Sequence, residues 1–246
     1  MFYITKELFT FALYLHIVKG LNYNLMKEQD RDISFPSMWS IHFSSTRFCL
    51  LIGACITFLI FSIIFITKSL AVIDLQSGTL LYDPVHALLP VAIDWSNIIF
   101  FLTYSSVFIV LIDVVTKSPN QVLRLGFAIG LMKILRSFSM FLIPLEPPVG
   151  IVALQDPLVS FMTPNHVVAL RDLFYSGHCA TMMILLLVAV SPLVKKWMRI
   201  IIVIVPLLIL QQRVHYTVDV LAGLAVGAAV YWVVKNLVNF KPNSRI

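Results

Sequence analysis

Residues 48–67 read FCLLIGACITFLIFSIIFIT, twenty positions without an acidic or basic side chain. A helix of about 20 residues rises about 30 Å, the thickness of a bilayer's hydrocarbon core. The run is apolar on every face, so it predicts a membrane span and not an amphipathic helix on a soluble core. The rest of the chain agrees. Of its 246 residues 59% are hydrophobic and 12% charged, and the mean hydropathy is +0.93. A soluble domain carries about 25% charged residues. This composition excludes a soluble globule, a disordered chain and a nucleic-acid-binding module. It predicts an all-α, polytopic membrane protein.

Apolar stretches mark six spans, at about 48–67, 95–116, 122–143, 178–194, 198–212 and 217–235. The third contains Lys133 and Arg136; the fifth is short, and Pro206 is expected to kink it. The organisation expected is a cytoplasmic or interfacial segment over 1–46, a six-span membrane domain over 47–236 and a cytoplasmic tail over 237–246. The first 20 residues lack a cleavage site after a clean apolar core, which predicts a surface amphipathic helix and no removable signal peptide. The three cysteines, Cys49, Cys55 and Cys179, have neither disulfide-framework nor zinc-site spacing.

Loop charges set the expected orientation. With six spans and an inside N-terminus, 13 Lys and Arg side chains fall on the cytoplasmic face and 3 on the other, with Lys133 and Arg136 within the membrane. The positive-inside bias then puts both termini in the cytoplasm. The net charge of +6 suits contact with anionic lipid and is not read as a nucleic-acid signal. The long connection from about 144 to 177 falls on the exoplasmic side, meaning lumen, periplasm or cell exterior. Loops of that length usually carry function or disorder.

Chemistry gathers at that face. The sixth span opens HYTVDV, with His215 and Asp219 four residues apart and so on one helix face. The carboxylate can accept one imidazole N–H and leave the other nitrogen free as nucleophile or base. The alternative is a polar pair satisfying itself at a helix end. The fourth span opens SGHCAT: Ser176 can cap the helix, Gly177 admits close approach, and His178 projects from the first turn. The free N–H groups of such a terminus form a phosphate cradle; an ordinary Ser-Gly turn is the plainer reading. The predicted orientation puts both histidines on the same face.

Arg136, in KILRSFSMFLIP, can clamp phosphate oxygens or simply snorkel to the interface. Asp172, six residues before His178, can orient that histidine or solvate the loop. His178, His215, Asp219 and Asp172 form the candidate catalytic set; Arg136, Ser176, Gly177 and Tyr216 form the candidate substrate-binding set. The pattern suits phosphoryl transfer through a phosphohistidine. There is no carboxylate cluster for magnesium, so neither metal nor cofactor is expected. Lys133, Glu146 and Asp156 have no assigned role, and His86 and His166 can line the entrance. Gly223 and Gly227 form a G-x-x-x-G that favours close helix packing.

YSGH followed by HYTVD resembles the sphingomyelin synthase branch of the type 2 phosphatidic acid phosphatase superfamily. RSFSMFLIPLEPP resembles an upstream motif of that branch, and DPVHALLPVAIDW is a weaker match; together they span about 85–240. Leu170-Arg171 stands where the synthases usually carry Cys-Gly, and the N-terminal segment leaves no room for a separate adaptor domain. The ordinary phosphatases' Lys-x6-Arg-Pro motif is not matched, because Ser137 follows Arg136 and Lys133 is three residues before it.

The resemblance implies a membrane enzyme that moves phosphocholine or phosphoethanolamine from a glycerophospholipid to ceramide or another lipid alcohol, leaving diacylglycerol. Its partners are membrane lipids, with no nucleic acid. It implies His215 as nucleophile held by Asp219, and His178 as the acid and then base. A plasma membrane, Golgi, endoplasmic reticulum or bacterial inner membrane all fit. The alternatives are a lipid phosphate phosphatase or phospholipase C-like hydrolase using the same residues, and a non-catalytic lipid-binding protein. A transporter fits poorly, since carriers place ionisable groups near the midplane.

Overall fold

The computed structural model describes residues 35–89, 91–156 and 169–240. The chain divides into two compact units, Met1–Met38 and Trp39–Ile246, and the candidate site lies wholly in the second. The surface helix expected over the first 20 residues, residues 241–246 of the tail expected over 237–246, His16 and His166 lie outside the described residues.

Among the described residues there are eight helices and no strand. They are α1 (Phe35–Phe43), α2 (Thr46–Ile73), α3 (Pro84–Leu88), α4 (Ser96–Lys117), α5 (Pro119–Leu142), α6 (Gly177–Val188), α7 (Pro192–Gln211) and α8 (Thr217–Leu237). Four of them, α2, α4, α5 and α8, are long and apolar enough to cross a membrane. The other two expected spans differ. α6 has twelve residues, which rise about 18 Å, and α7 carries Lys195, Lys196 and Arg199 in its first turns. α7 continues through Pro206.

The fourth expected span, 178–194, is longer than the helix found there. The helix stops at Val188 because Ser191 is extended before Pro192, which opens α7. The buried carboxylate of Asp113 on α4 holds that break by accepting the N–H groups of Val190 at 2.7 Å and Ser191 at 2.9 Å. Two short helices have no counterpart among the expected elements. α1 lies inside the cytoplasmic or interfacial segment expected over 1–46. α3 is begun by Asp83, whose side chain accepts from Val85 N–H, with Pro84 in the first turn.

Six helices, α2 and α4 to α8, alternate in direction. The segments after α2, α5 and α7 meet at one end. There Thr79 bonds Pro144 and Glu146 through the main chain, Arg171 donates to the Asp74 carbonyl, and the Gln212 carbonyl accepts from Val152 N–H. Phe48, Leu123 and Phe240 pack together at the other end. α6 is apolar around its whole circumference and accordingly runs through the interior, against α4, α5, α7 and α8.

At the α6–α8 crossing two backbones come close together. A Cβ at Gly223 would lie 2.5 Å from the Ser176 carbonyl oxygen, and one at Gly227 would lie 2.5 Å from that of Ala180. The G-x-x-x-G therefore lets two backbones approach, and it brings the start of α6 beside the start of α8.

Candidate active site

α7 ends in a turn that aims the chain at the site. Val214 N–H bonds the Ile209 carbonyl and Arg213 N–H bonds that of Leu210, with Arg213 in the left-handed region at φ 57°. This is a Schellman closure with arginine where glycine is usual. The strain is held by the Arg213 guanidinium, which donates to the carbonyls of Val149 at 3.1 Å and His86 at 3.3 Å. Val214 and then His215 follow; His215 is buried two residues ahead of α8, so it does not share with Asp219 the helix face that the spacing predicts.

Its partner Asp219 is fully buried, with one carboxylate oxygen 3.5 Å from His215 Nδ1. That oxygen also accepts Tyr216 N–H at 3.0 Å. The Asp219 carbonyl takes Ser176 N–H at 3.0 Å, which docks the start of α6 onto α8. Gly177 and His178 then face a cavity of about 520 Å³ that His215 also lines.

Arg136 closes one side of this cavity. Its Nε donates to the Tyr175 carbonyl at 2.8 Å, and Nη2 pairs with the Asp172 carboxylate at 2.7 Å. A Cβ at Gly177 would lie 2.9 Å from the guanidinium carbon, so the guanidinium rests on the first turn of α6. Positive charge and helix N–H groups thus meet beside two imidazoles, an arrangement suited to phosphoryl oxygens. Lys133, one turn deeper on α5, also lines the cavity.

Of the eight expected site residues, His178, His215, Arg136, Asp172 and Gly177 line this cavity, and Asp219 backs it. The Asp172 carboxylate faces Arg136. Ser176 and Tyr216 are buried outside the lining. The Tyr216 hydroxyl donates to the Glu146 carbonyl at 2.9 Å and accepts from Leu81 N–H, tying the end-cap segments together. Of the two loop carboxylates without an assigned role, Asp156 lines the cavity. Glu146 instead pairs with Arg171 at 3.0 Å and accepts Gly78 N–H at 2.8 Å. That amide and that guanidinium hold the Glu146 carboxyl below its usual range.

Sequence reasoning missed Asp83 and Gln212. Asp83 is buried and grips the first residue of α8, accepting both Thr217 N–H and the Thr217 hydroxyl. Burial pulls its carboxyl upward, but the bonds from Thr217 and Val85 outweigh this and leave it lowered. Next to it, buried His86 stacks on Tyr216 at 6.0 Å, and burial lowers its imidazole from the ordinary value. Gln212 donates to Ser96 Oγ at 3.0 Å and accepts Trp95 N–H at 3.0 Å. The Asp-Pro of DPVH was the available signal for Asp83; the partners of Gln212 are about 60 and 116 residues away and leave no local trace. Among the described residues no three His, Cys, Asp or Glu side chains are grouped to hold a metal ion.

Residues 171–236 match the family model of the PAP2 superfamily C-terminal domain. The match supports the type 2 phosphatidic acid phosphatase superfamily and runs through α6, α7 and nearly all of α8. It includes His178, His215 and Asp219, whereas Arg136 on α5 lies outside it. No curated protein matches the chain.

Proposed function

We propose that this protein is a phospholipid headgroup phosphotransferase of the sphingomyelin synthase type, with six spans, both termini cytoplasmic and its site on the exoplasmic face. The observation that carries the reading is that His178 in the first turn of α6 and His215 in the turn leading into α8 open on one cavity beside the Arg136 guanidinium. The PAP2 match supports chemistry on lipid phosphate esters. The alternating helices and the Lys and Arg side chains at the end opposite the site support the orientation.

In this mechanism His215, held by Asp219, attacks the phosphorus of a glycerophospholipid. A P–N bond forms, the P–O bond to diacylglycerol breaks, and His178 protonates the departing oxygen. A lipid alcohol such as ceramide then gives its proton to His178 and attacks phosphorus, breaking the P–N bond. Arg136 and the α6 N–H groups stabilise charge on the phosphoryl oxygens. Purified protein in vesicles containing labelled phosphatidylcholine, with and without ceramide, tests this. A new choline sphingolipid is expected; free phosphocholine or phosphate alone would make the protein a hydrolase.

A further inference from the structure

The cavity is lined by two electrically different groups of side chains. On α5 stand the cations Lys133 and Arg136. α4 lines the same cavity with Phe100 and Tyr104, one helical turn apart, with rings stacked at 5.6 Å and 26°. The edge contact of Phe100 with His178, at 5.5 Å and 71°, places this aromatic pair directly beside the candidate acid. The Tyr104 hydroxyl donates to Asp156 Oδ2 at 2.6 Å, which sets a carboxylate next to the rings. Among the described residues two carboxylates line the cavity: Asp172 pairs with Arg136, and Asp156 accepts from the Tyr104 hydroxyl.

We propose that Phe100, Tyr104 and Asp156 form a subsite for the ammonium group of a zwitterionic phospholipid headgroup, choline or ethanolamine. An aromatic face attracts a cation through its quadrupole; the carboxylate supplies the opposite charge. Arg136 rests on Gly177 and the next residue, His178, touches Phe100, so a headgroup whose phosphoryl oxygens meet Arg136 has the aromatic pair within the same cavity. Phosphatidylglycerol carries the same phosphodiester without the cation and gains nothing there. This inference rests on the headgroup-transfer reading and deepens it by naming the residues that select the donor headgroup.

The test compares phosphatidylcholine with phosphatidylglycerol of identical acyl chains. For the unaltered protein kcat/KM favours phosphatidylcholine, and in Asp156→Asn the ratio between the two donors falls about fivefold. Tyr104→Phe, which keeps the ring and loses the tie to Asp156, lowers the ratio less than Tyr104→Leu. Equal losses on both donors would mean that Tyr104 and Asp156 only latch the loop to α4, and would overturn the subsite. A binding arm separates failure of the subsite from failure of the transfer reading. Water-soluble dihexanoyl phosphatidylcholine and dihexanoyl phosphatidylglycerol are titrated into His215→Ala protein with Asp156 intact or changed to Asn. Loss of the choline preference in Asp156→Asn supports the subsite even where the unaltered protein turns over no donor. Equal affinities with Asp156 intact would contradict it.

Discussion

The guanidinium of Arg136 lies over Gly177 so closely that a methyl group there would come within 2.9 Å of its central carbon. The glycine of the Ser-Gly-His turn is therefore required for contact between α5 and α6, and it positions a cation at the helix terminus that His178 shares.

Gly177→Ala tests that contact. The methyl group displaces Arg136 and leaves the α6–α8 crossing untouched. Since small misplacements in an active site can cost about 10²-fold, kcat is expected to fall by about that factor with little change in Tm. Unaltered turnover by Gly177→Ala would remove the proposed role of the Arg136 contact.

Arg136→Lys keeps the charge but loses the fork that joins the Tyr175 carbonyl to the Asp172 carboxylate. Loss of one such oxyanion donor costs about 10²-fold in rate, and a comparable fall is expected here. A lysine variant with normal kcat would show that Arg136 acts only as a diffuse charge.

The crossing of α6 and α8 sets a different expectation. A Gly227→Leu side chain has no space, because even its Cβ meets the Ala180 carbonyl at 2.5 Å. Overpacking of this kind costs about 1–3 kcal/mol, and the Tm in detergent should drop accordingly. Gly53, whose Cβ position meets nothing within 4 Å, supplies the control: Gly53→Ala is expected to leave the Tm unchanged.

Much of this architecture is readable from charge-free runs such as 48–67, because a long apolar helix has few alternatives. The helix ends were less readable. α6 stops at Val188 through the carboxylate of Asp113, more than 70 residues away, and periodicity carries no record of that bond. In the site, His215 and Asp219 were visible because a four-residue spacing is local. The grip of Asp83 on Thr217 joins residues 134 apart and becomes visible only once α3 is folded against α8.

Acid should loosen this end of the bundle. Asp83 and Glu146 both have lowered carboxyl pKa values in the fold, from the Thr217 and Val85 bonds and from the Gly78 amide and Arg171. Their stabilising contribution is complete above the ordinary carboxylate values of about 4 and is lost as pH falls through the lowered ones. The Tm is expected to decline below about pH 4, and Asp83→Asn with Glu146→Gln should lower the Tm at neutral pH and flatten that decline. An acid limb identical in the double variant would assign the effect to other groups.

Trapping the covalent intermediate examines the core of the account. The protein is mixed with phosphatidylcholine labelled with radioactive phosphorus and no acceptor, quenched in alkali, digested, and its peptides analysed by mass spectrometry. An acid-labile, alkali-stable phosphocholine adduct on His215, absent from His215→Ala and discharged by ceramide, is the expected result. Headgroup transfer at normal rate by His215→Ala, or a label on any other side chain, would contradict it.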